Sequence, residues 1–121
     1  MARARVSIEL DPGGEPYAPG DVVRGRVRVF WDADVRALRV RLAFVERTAS
    51  IVAVGRVAMD EQLAAGRVTD GAAFPFALPL PADALPTLEE PGLAAVRWEV
   101  RAWADVRGPD PDDVRALDVR A

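Results

Sequence analysis

The 121-residue sequence contains no cysteine, no histidine and no lysine. The lack of cysteine excludes disulfides, thiolate metal sites and cysteine nucleophiles. The lack of histidine removes the commonest general base, the usual ligand of transition metals and the side chain that most often titrates near neutral pH. All sixteen basic residues are arginine, yet the net charge is -3, whereas general nucleic-acid binders are usually basic. We therefore expect no cofactor, no metal and no nucleic-acid partner.

Candidate catalytic groups are also few. None of the hydroxyl side chains lies in a recognisable nucleophile motif, and no glycine-rich phosphate loop is present. Paired carboxylates are the remaining catalytic device in principle. The densest carboxylates, Glu89–Glu90 and those in 110–113, lie in turn-like sequence, and the second group lacks the ligand spacing and central glycine of a calcium loop. We predict that the protein is not an enzyme and assign no catalytic residue.

Long hydrophobic runs are missing too. No segment approaches the length of a membrane span, and the N-terminal MARARVSIEL has no apolar stretch of signal-peptide length. We expect no integral membrane segment and a cytoplasmic location. The length fits one domain over residues 1–121.

The sequence is instead rich in alternating apolar and polar residues. In VVRGRVRVFW (22–31), valines and a tryptophan share one parity and three arginines the other. The same period of two occurs in 2–10, 35–44 and 96–107. Such alternation is typical of half-buried strands in antiparallel sheets.

Glycine and proline separate these segments, as in DPGGEPYAPGD (11–21) and RGPDPDD (107–113). In FPFALPLP (74–81), proline at alternate positions cannot donate ladder hydrogen bonds, which predicts a strand at a sheet edge. About seven short strands with such turns indicate an all-β protein, an antiparallel β-sandwich of two packed sheets.

Two segments have helical features. MDEQLAAG (59–66) has Asp60 as a candidate N-cap and Gly66 as a candidate stop, so residues 60–65 form either one or two helical turns or the end of a strand. DPDDVRAL (110–117) also resembles a helix start, but little chain follows and we favour a terminal strand.

Three segments, in order, resemble arrestin-like domains. YAPGDVVRGRVRV (17–29) is similar to the Tyr-x-Pro-Gly-Glu-x-Val-x-Gly-x-Val segment near the start of that family. VRALRVRLAFVERT (35–48) is similar to the strand that follows it. Residues 60–103 resemble the later half, with a Phe-Pro-Phe strand, a Leu-Pro, a second proline-rich turn and a strand that runs into tryptophan.

The resemblance implies the N-terminal arrestin sandwich, with two antiparallel sheets packed face to face in an immunoglobulin-like manner. Members of the family typically continue into a second sandwich, whereas this sequence ends at Ala121. We therefore expect a single-domain form and carry over no receptor-binding or phosphate-binding residue.

The arginines admit two arrangements. If Val22–Trp31 and Val35–Phe44 formed a hairpin, Arg28 would face Arg39 and Arg26 would face Arg41, and like charges across a ladder are destabilising. If the chain instead crosses between sheets at WDAD (31–34), the arginines lie on opposite outer faces. They serve either as the solvated side of the strands or as an anionic contact.

Trp103 has the parity of the polar residues around it rather than that of Trp98. It is therefore an interface residue, or a nearby segment covers it, or a bulge shifts its parity.

The leading hypothesis is a non-catalytic adaptor or regulatory scaffold that binds a protein through a sheet edge or outer face. The alternatives are a self-associating homodimer and a β-sandwich that binds a small ligand or carbohydrate. The candidate partner-binding residues are Trp103, Arg97, Arg101, Arg26, Arg28, Arg39 and Arg41.

Overall fold

The structure is a computed structural model that describes residues 3–121. These residues form eight β-strands and no helix. The strands are β1 (Val6–Leu10), β2 (Val22–Val29), β3 (Ala33–Thr48), β4 (Val52–Val68), β5 (Ala73–Pro79), β6 (Leu88–Glu90), β7 (Ala94–Asp105) and β8 (Asp112–Ala116).

The strands form two packed sheets. The smaller sheet has the order β1-β2-β5, and the larger has the order β4-β3-β7-β6, with β8 also paired to β7. All of these strand pairs are antiparallel. The structure confirms the prediction of an all-β antiparallel sandwich, and β8 confirms the terminal strand.

The core lies between the sheets and follows from the alternation in the sequence. Val23 and Val27 of β2 are fully buried from one sheet, and Leu42 and Val100 from the other. Trp98 is 1% exposed; its indole Nε1 donates to the carbonyl of Leu85 at 3.1 Å, which satisfies its one polar group.

The chain crosses from one sheet to the other between β2 and β3. β2 pairs with β1 and β5, whereas β3 pairs with β4 and β7. The hairpin arrangement is therefore wrong, and the crossing arrangement is confirmed. Consequently, the arginines of β2 do not face those of β3, which removes the like-charge ladder that the hairpin would have created.

The helical alternative for residues 60–65 is wrong. This segment lies within β4, where Asp60 is paired with Arg41 and Gln62 with Arg39 of the neighbouring strand. A helix of one or two turns is marginal on its own, so pairing along the whole of β3 outweighs the local propensity. Gly66 has a φ of +88°, but it lies in the strand opposite Val35 rather than at a helix end.

The edge position predicted for the proline-containing strand is confirmed. β5 pairs only with β2 and forms one edge of the smaller sheet. Pro75 and Pro79 lack the N–H group that an added strand would need, so this edge is a poor template for further pairing.

Gly25 marks the closest approach within the smaller sheet. It lies on the core parity of β2, opposite Leu10 of β1 and Phe76 of β5. A Cβ atom at this position would meet the backbone carbonyl of Glu9 and would lie 3.0 Å from the Phe76 ring. The glycine is therefore required by packing, although its φ is not positive.

We predict that Gly25→Ala lowers the free energy of unfolding by about 1–3 kcal/mol, because a methyl group must displace backbone in a packed core. Gly55→Ala is the matched control: it is also a strand glycine, and its added Cβ would lie 3.6 Å from the nearest atom. The control should change stability by less than about 1 kcal/mol. Urea denaturation of both variants measures the difference, and equal effects would show that the close approach at Gly25 does not limit packing.

Candidate interaction surface

The face of the larger sheet that points away from the smaller sheet brings together most of the predicted contact residues. We call it the outer face; it carries the odd-numbered residues 39–47 of β3 and 95–103 of β7. These residues have the opposite parity to the core residues Leu42 and Val100. The pairs in register are Arg39 with Trp103, Arg41 with Arg101, Ala43 with Glu99, and Val45 with Arg97.

Five of the seven predicted contact residues lie on the outer face, and two do not. The five are Arg39, Arg41, Arg97, Arg101 and Trp103. Arg26 and Arg28 lie on β2 in the other sheet. The structure therefore divides the predicted residues into two groups on separate sheets.

Arg26 and Arg28 are both engaged by one carboxylate that sequence reasoning missed. Glu9 of β1 accepts hydrogen bonds from Arg26 Nε at 2.6 Å and from Arg28 Nε at 3.0 Å. These hydrogen bonds lower the pKa of Glu9 below its ordinary value, and the bond from Arg28 has the largest effect. Glu9 has the polar parity in its own strand, but only the pairing of β1 with β2 shows which arginines it faces.

Glu99 is a buried carboxylate at the centre of the outer face, with only 4% of its side chain exposed. Arg47 donates to it through two nitrogens, Nε at 2.6 Å and Nη2 at 2.8 Å, and Arg97 Nε donates at 2.9 Å. Burial by itself raises the pKa of Glu99, but the hydrogen bonds from the two arginines outweigh it and hold the pKa below the ordinary value.

The position of Arg47 explains a second burial on this face. Arg47 lies four residues beyond Ala43, the residue opposite Glu99, and Val45 lies between them on the same face. Val45 is only 2% exposed although it points away from the core. A long arginine stem that spans this distance is able to cover apolar surface while its charged end is paired.

Trp103 is half-buried on the outer face, and β7 has no bulge against β3 that would shift its parity. The guanidinium of Arg101 lies 4.7 Å from the centre of the Trp103 ring, in the range of a cation–π contact. Arg101 Nε also donates to Asp112 of β8 at 3.2 Å. On the other side of β3, Arg39 donates to Asp60 through Nη2 at 2.6 Å.

Arg41 differs from the other arginines of this face. Among the described residues it forms no ion pair, and its buried Nε has no hydrogen-bond partner within the protein. Its neighbours across the strands are Asp60, which is engaged by Arg39, and Arg101. This local imbalance could be recognised only after the partners of every other arginine were known.

Exposed valines lie beside this charged region. Val52, Val54 and Val57 of β4 are opposite Arg47, Val45 and Ala43, which places them on the outer face. We call these three residues the valine patch. Val54 is 46% exposed and Val57 is 49% exposed, and the neighbouring turn adds the exposed Ile51. Contiguous exposed apolar residues of this kind mark binding surfaces more often than isolated ones do.

The long edge strand β4 is irregular. Shifts in its pairing with β3 leave four residues outside the register: Gly55, Ala58, Leu63 and Ala65. Bulges of this kind twist an edge and reduce its capacity to add a further strand. The outer face is therefore a better candidate contact surface than the β4 edge.

Side chains that could hold a metal ion are not gathered in residues 3–121. No set of three or more histidine, cysteine, aspartate or glutamate residues in this range could hold a metal ion. A shallow depression of about 320 Å³ lies between the β3–β4 turn and the β6–β7 turn. Its lining includes Arg47, Arg97 and Leu93. Residues 3–121 also include no helix with the length and apolar character needed to cross a membrane.

No family model and no curated protein matches this chain in sequence. Among solved structures, the chain is similar to Spo0M, a sporulation control protein from Bacillus subtilis, with a TM-score of 0.71 and 22% identity. The match covers all of this chain and 51% of the Spo0M chain, so this chain spans about half the length of that structure. The likeness supports the arrestin-like β-sandwich fold that the sequence resemblance implied.

We predict that Glu99→Gln lowers the free energy of unfolding at pH 7 by about 1–3 kcal/mol, because charge-assisted hydrogen bonds are lost from a buried site. The folded-state pKa of Glu99 lies below its ordinary value of 4.5, so its contribution is complete above that value and is lost as the pH falls through the folded-state pKa. The difference between wild type and variant should therefore shrink below about pH 4.

Urea denaturation at pH 7 and pH 3 measures this difference. Glu9→Gln is the control, because Glu9 also binds two arginines but in a more exposed setting, and we expect it to be the milder change. A Glu99→Gln effect that is the same at both pH values would contradict an ionised, arginine-paired Glu99.

Proposed function

We propose that this chain is a non-catalytic protein-interaction module, an adaptor or regulatory scaffold, that binds a protein partner through the outer face. The observation that carries the proposal is the valine patch beside the arginines and Trp103. Burial of the apolar patch against a partner would be favourable, and the charged groups next to it would orient the partner. We also propose that residues 1–121 form a single arrestin-like sandwich and that the protein is located in the cytoplasm.

The composition of the outer face supports this role. Tryptophan and arginine are the residue types most enriched among energetically important interface residues, and Trp103 is stacked with Arg101 on this face. The paired arginines are already held in place by carboxylates, so a partner would meet a largely preorganised surface.

A regulatory role is supported by the fold. The chain shares its sandwich architecture with part of a sporulation control protein, and both edges considered above are poor sites for strand addition. Recognition through the side chains of a sheet face would fit a protein that binds a partner without catalysing a reaction. The main alternative is self-association, in which a second copy of the chain covers the valine patch in a symmetric dimer.

We predict that Val54→Arg abolishes capture of the partner from lysate of the source organism, because it places a charge within the apolar part of the interface. Val22→Arg is the matched control, since Val22 is also an exposed strand valine, at 39%, but lies in the other sheet. Both variants should keep the thermal unfolding midpoint of the wild type within a few degrees, at about 4 °C per kcal/mol for this size.

The mass of the purified protein is measured alongside by analytical ultracentrifugation. A monomer whose partner is lost only with Val54→Arg supports the adaptor role. A dimer that becomes monomeric with Val54→Arg would replace it with self-association. Equal capture by both variants would contradict a partner-binding role for the valine patch.

A further inference from the structure

Within residues 3–121, the charges of the outer face balance at every arginine except one. Arg39 is paired with Asp60, and Arg101 with Asp112. Arg47 and Arg97 share Glu99, and Arg97 Nη1 also lies 3.7 Å from a carboxylate oxygen of Glu89. Arg41 is the remaining cation.

The surroundings of Arg41 make this imbalance costly in the free protein. Its Nε is shielded from solvent without a hydrogen-bond partner. Directly across the ladder it faces another arginine, Arg101, and like charges at paired positions are destabilising. Buried polar groups in folded proteins are nearly always satisfied, so this Nε and the unbalanced charge beside it mark Arg41 as the position on the outer face where a further acceptor would be stabilising.

A group that complements this site should carry a single negative charge. The charge of Arg101 is already balanced by Asp112, so the pair of opposed arginines carries one uncompensated positive charge. A carboxylate supplies one negative charge and two acceptor oxygens, which suits the planar donors of a guanidinium. A phosphate group carries close to two negative charges at neutral pH and would leave the site with an excess of negative charge.

Trp103 borders the site on one side. It lies next to Arg101 on the same face of β7, with its ring against the Arg101 guanidinium, and Arg39 is opposite it on β3. An aromatic ring beside Arg101 limits access of water to one side of this guanidinium, and hydrogen bonds to ions become stronger where water is excluded.

We propose that Arg41 and Arg101 bind a side-chain carboxylate from an acidic segment of the protein partner, with Trp103 beside it. This inference rests on the proposed interaction role and specifies the chemistry of the partner. Arg41 supplies the unpaired donors, and Arg101, held by Asp112, lies opposite it and supplies the second positive charge. The partner's acidic side chain therefore takes the place that Asp60, Glu99 and Asp112 take at the other arginines of the face.

The test is an NMR titration of the full ¹⁵N-labelled chain with three synthetic peptides. One alternates glutamate with serine, the second has glutamine in place of glutamate, and the third has a single phosphoserine in a serine–glutamine background. The arginine Nε–H and tryptophan indole N–H signals are followed. We expect saturable shifts of Arg41 and Trp103 with the glutamate peptide, weakened by added salt, and at least about tenfold weaker binding of the glutamine peptide.

Two variants locate the binding. Arg41→Gln should weaken binding of the glutamate peptide about tenfold, since a charge-assisted hydrogen bond is lost. Arg26→Gln removes the same charge from an arginine that is already paired with Glu9 in the other sheet, and it should bind like the wild type. Arg41→Lys keeps the charge but loses the planar donors, so it should recover only part of the affinity.

Other results would overturn the inference. Equal weakening by Arg41→Gln and Arg26→Gln would mean that only net charge matters. Tighter binding of the phosphoserine peptide would assign the site to a phosphate, and no shift with any peptide would show that Arg41 holds no anion. If the partner is still lost with Val54→Arg in these cases, the interaction role stands and only the carboxylate assignment fails.

Discussion

All twelve residues of β7 pair with β3, from Ala37 with Asp105 to Thr48 with Ala94, in a register without interruption. Because side chains alternate along both strands, this one register assigns every residue of the larger sheet's centre to the core or to the outer face. A slip by one residue would bring Trp98 out of the core and bury Glu99 and Arg101 in its place. The core and the candidate contact surface are thus two consequences of the same pairing.

The outer face shows how an arginine-rich sheet is stabilised in an acidic protein. The pairing of β3 with β4 and of β7 with β3 and β8 brings carboxylates within reach of most guanidinium groups of this face. Glu99 links two strands, because Arg47 donates to it from β3 and Arg97 from β7. Val45 is buried among the arginines of this face, whose long stems are able to cover apolar surface. Arginine suits both tasks because its planar end binds carboxylates through two bonds and its stem is long. The unpaired Arg41 is conspicuous against this pattern.

Three edge strands of the sandwich, β5, β4 and β1, are protected against strand addition in different ways. β5 has prolines, and β4 has irregular pairing. On β1, the Ile8 N–H donates to the carboxylate of Asp113 at 2.8 Å, so a side chain occupies the place that an added strand would take. Each device removes or misaligns backbone donors, which are what strand addition requires. Strand addition is therefore disfavoured at these three strands.

The sequence by itself determined the sandwich class and the parity of the residues in its alternating segments, because alternation and turn residues act locally. It identified the edge position of the proline strand and the unusual parity of Trp103 for the same reason. It did not predict the long strand β4 or the short strand β6. It left open the crossing between β2 and β3, and at residues 60–65 it offered a helix that pairing with β3 overrides. Only the tertiary structure decided which charges meet. Glu9, Asp60 and Asp112 are distant in sequence from the arginines they bind, and strand order brings them together. The solitary position of Arg41 follows from those pairings, so no local pattern could have shown it.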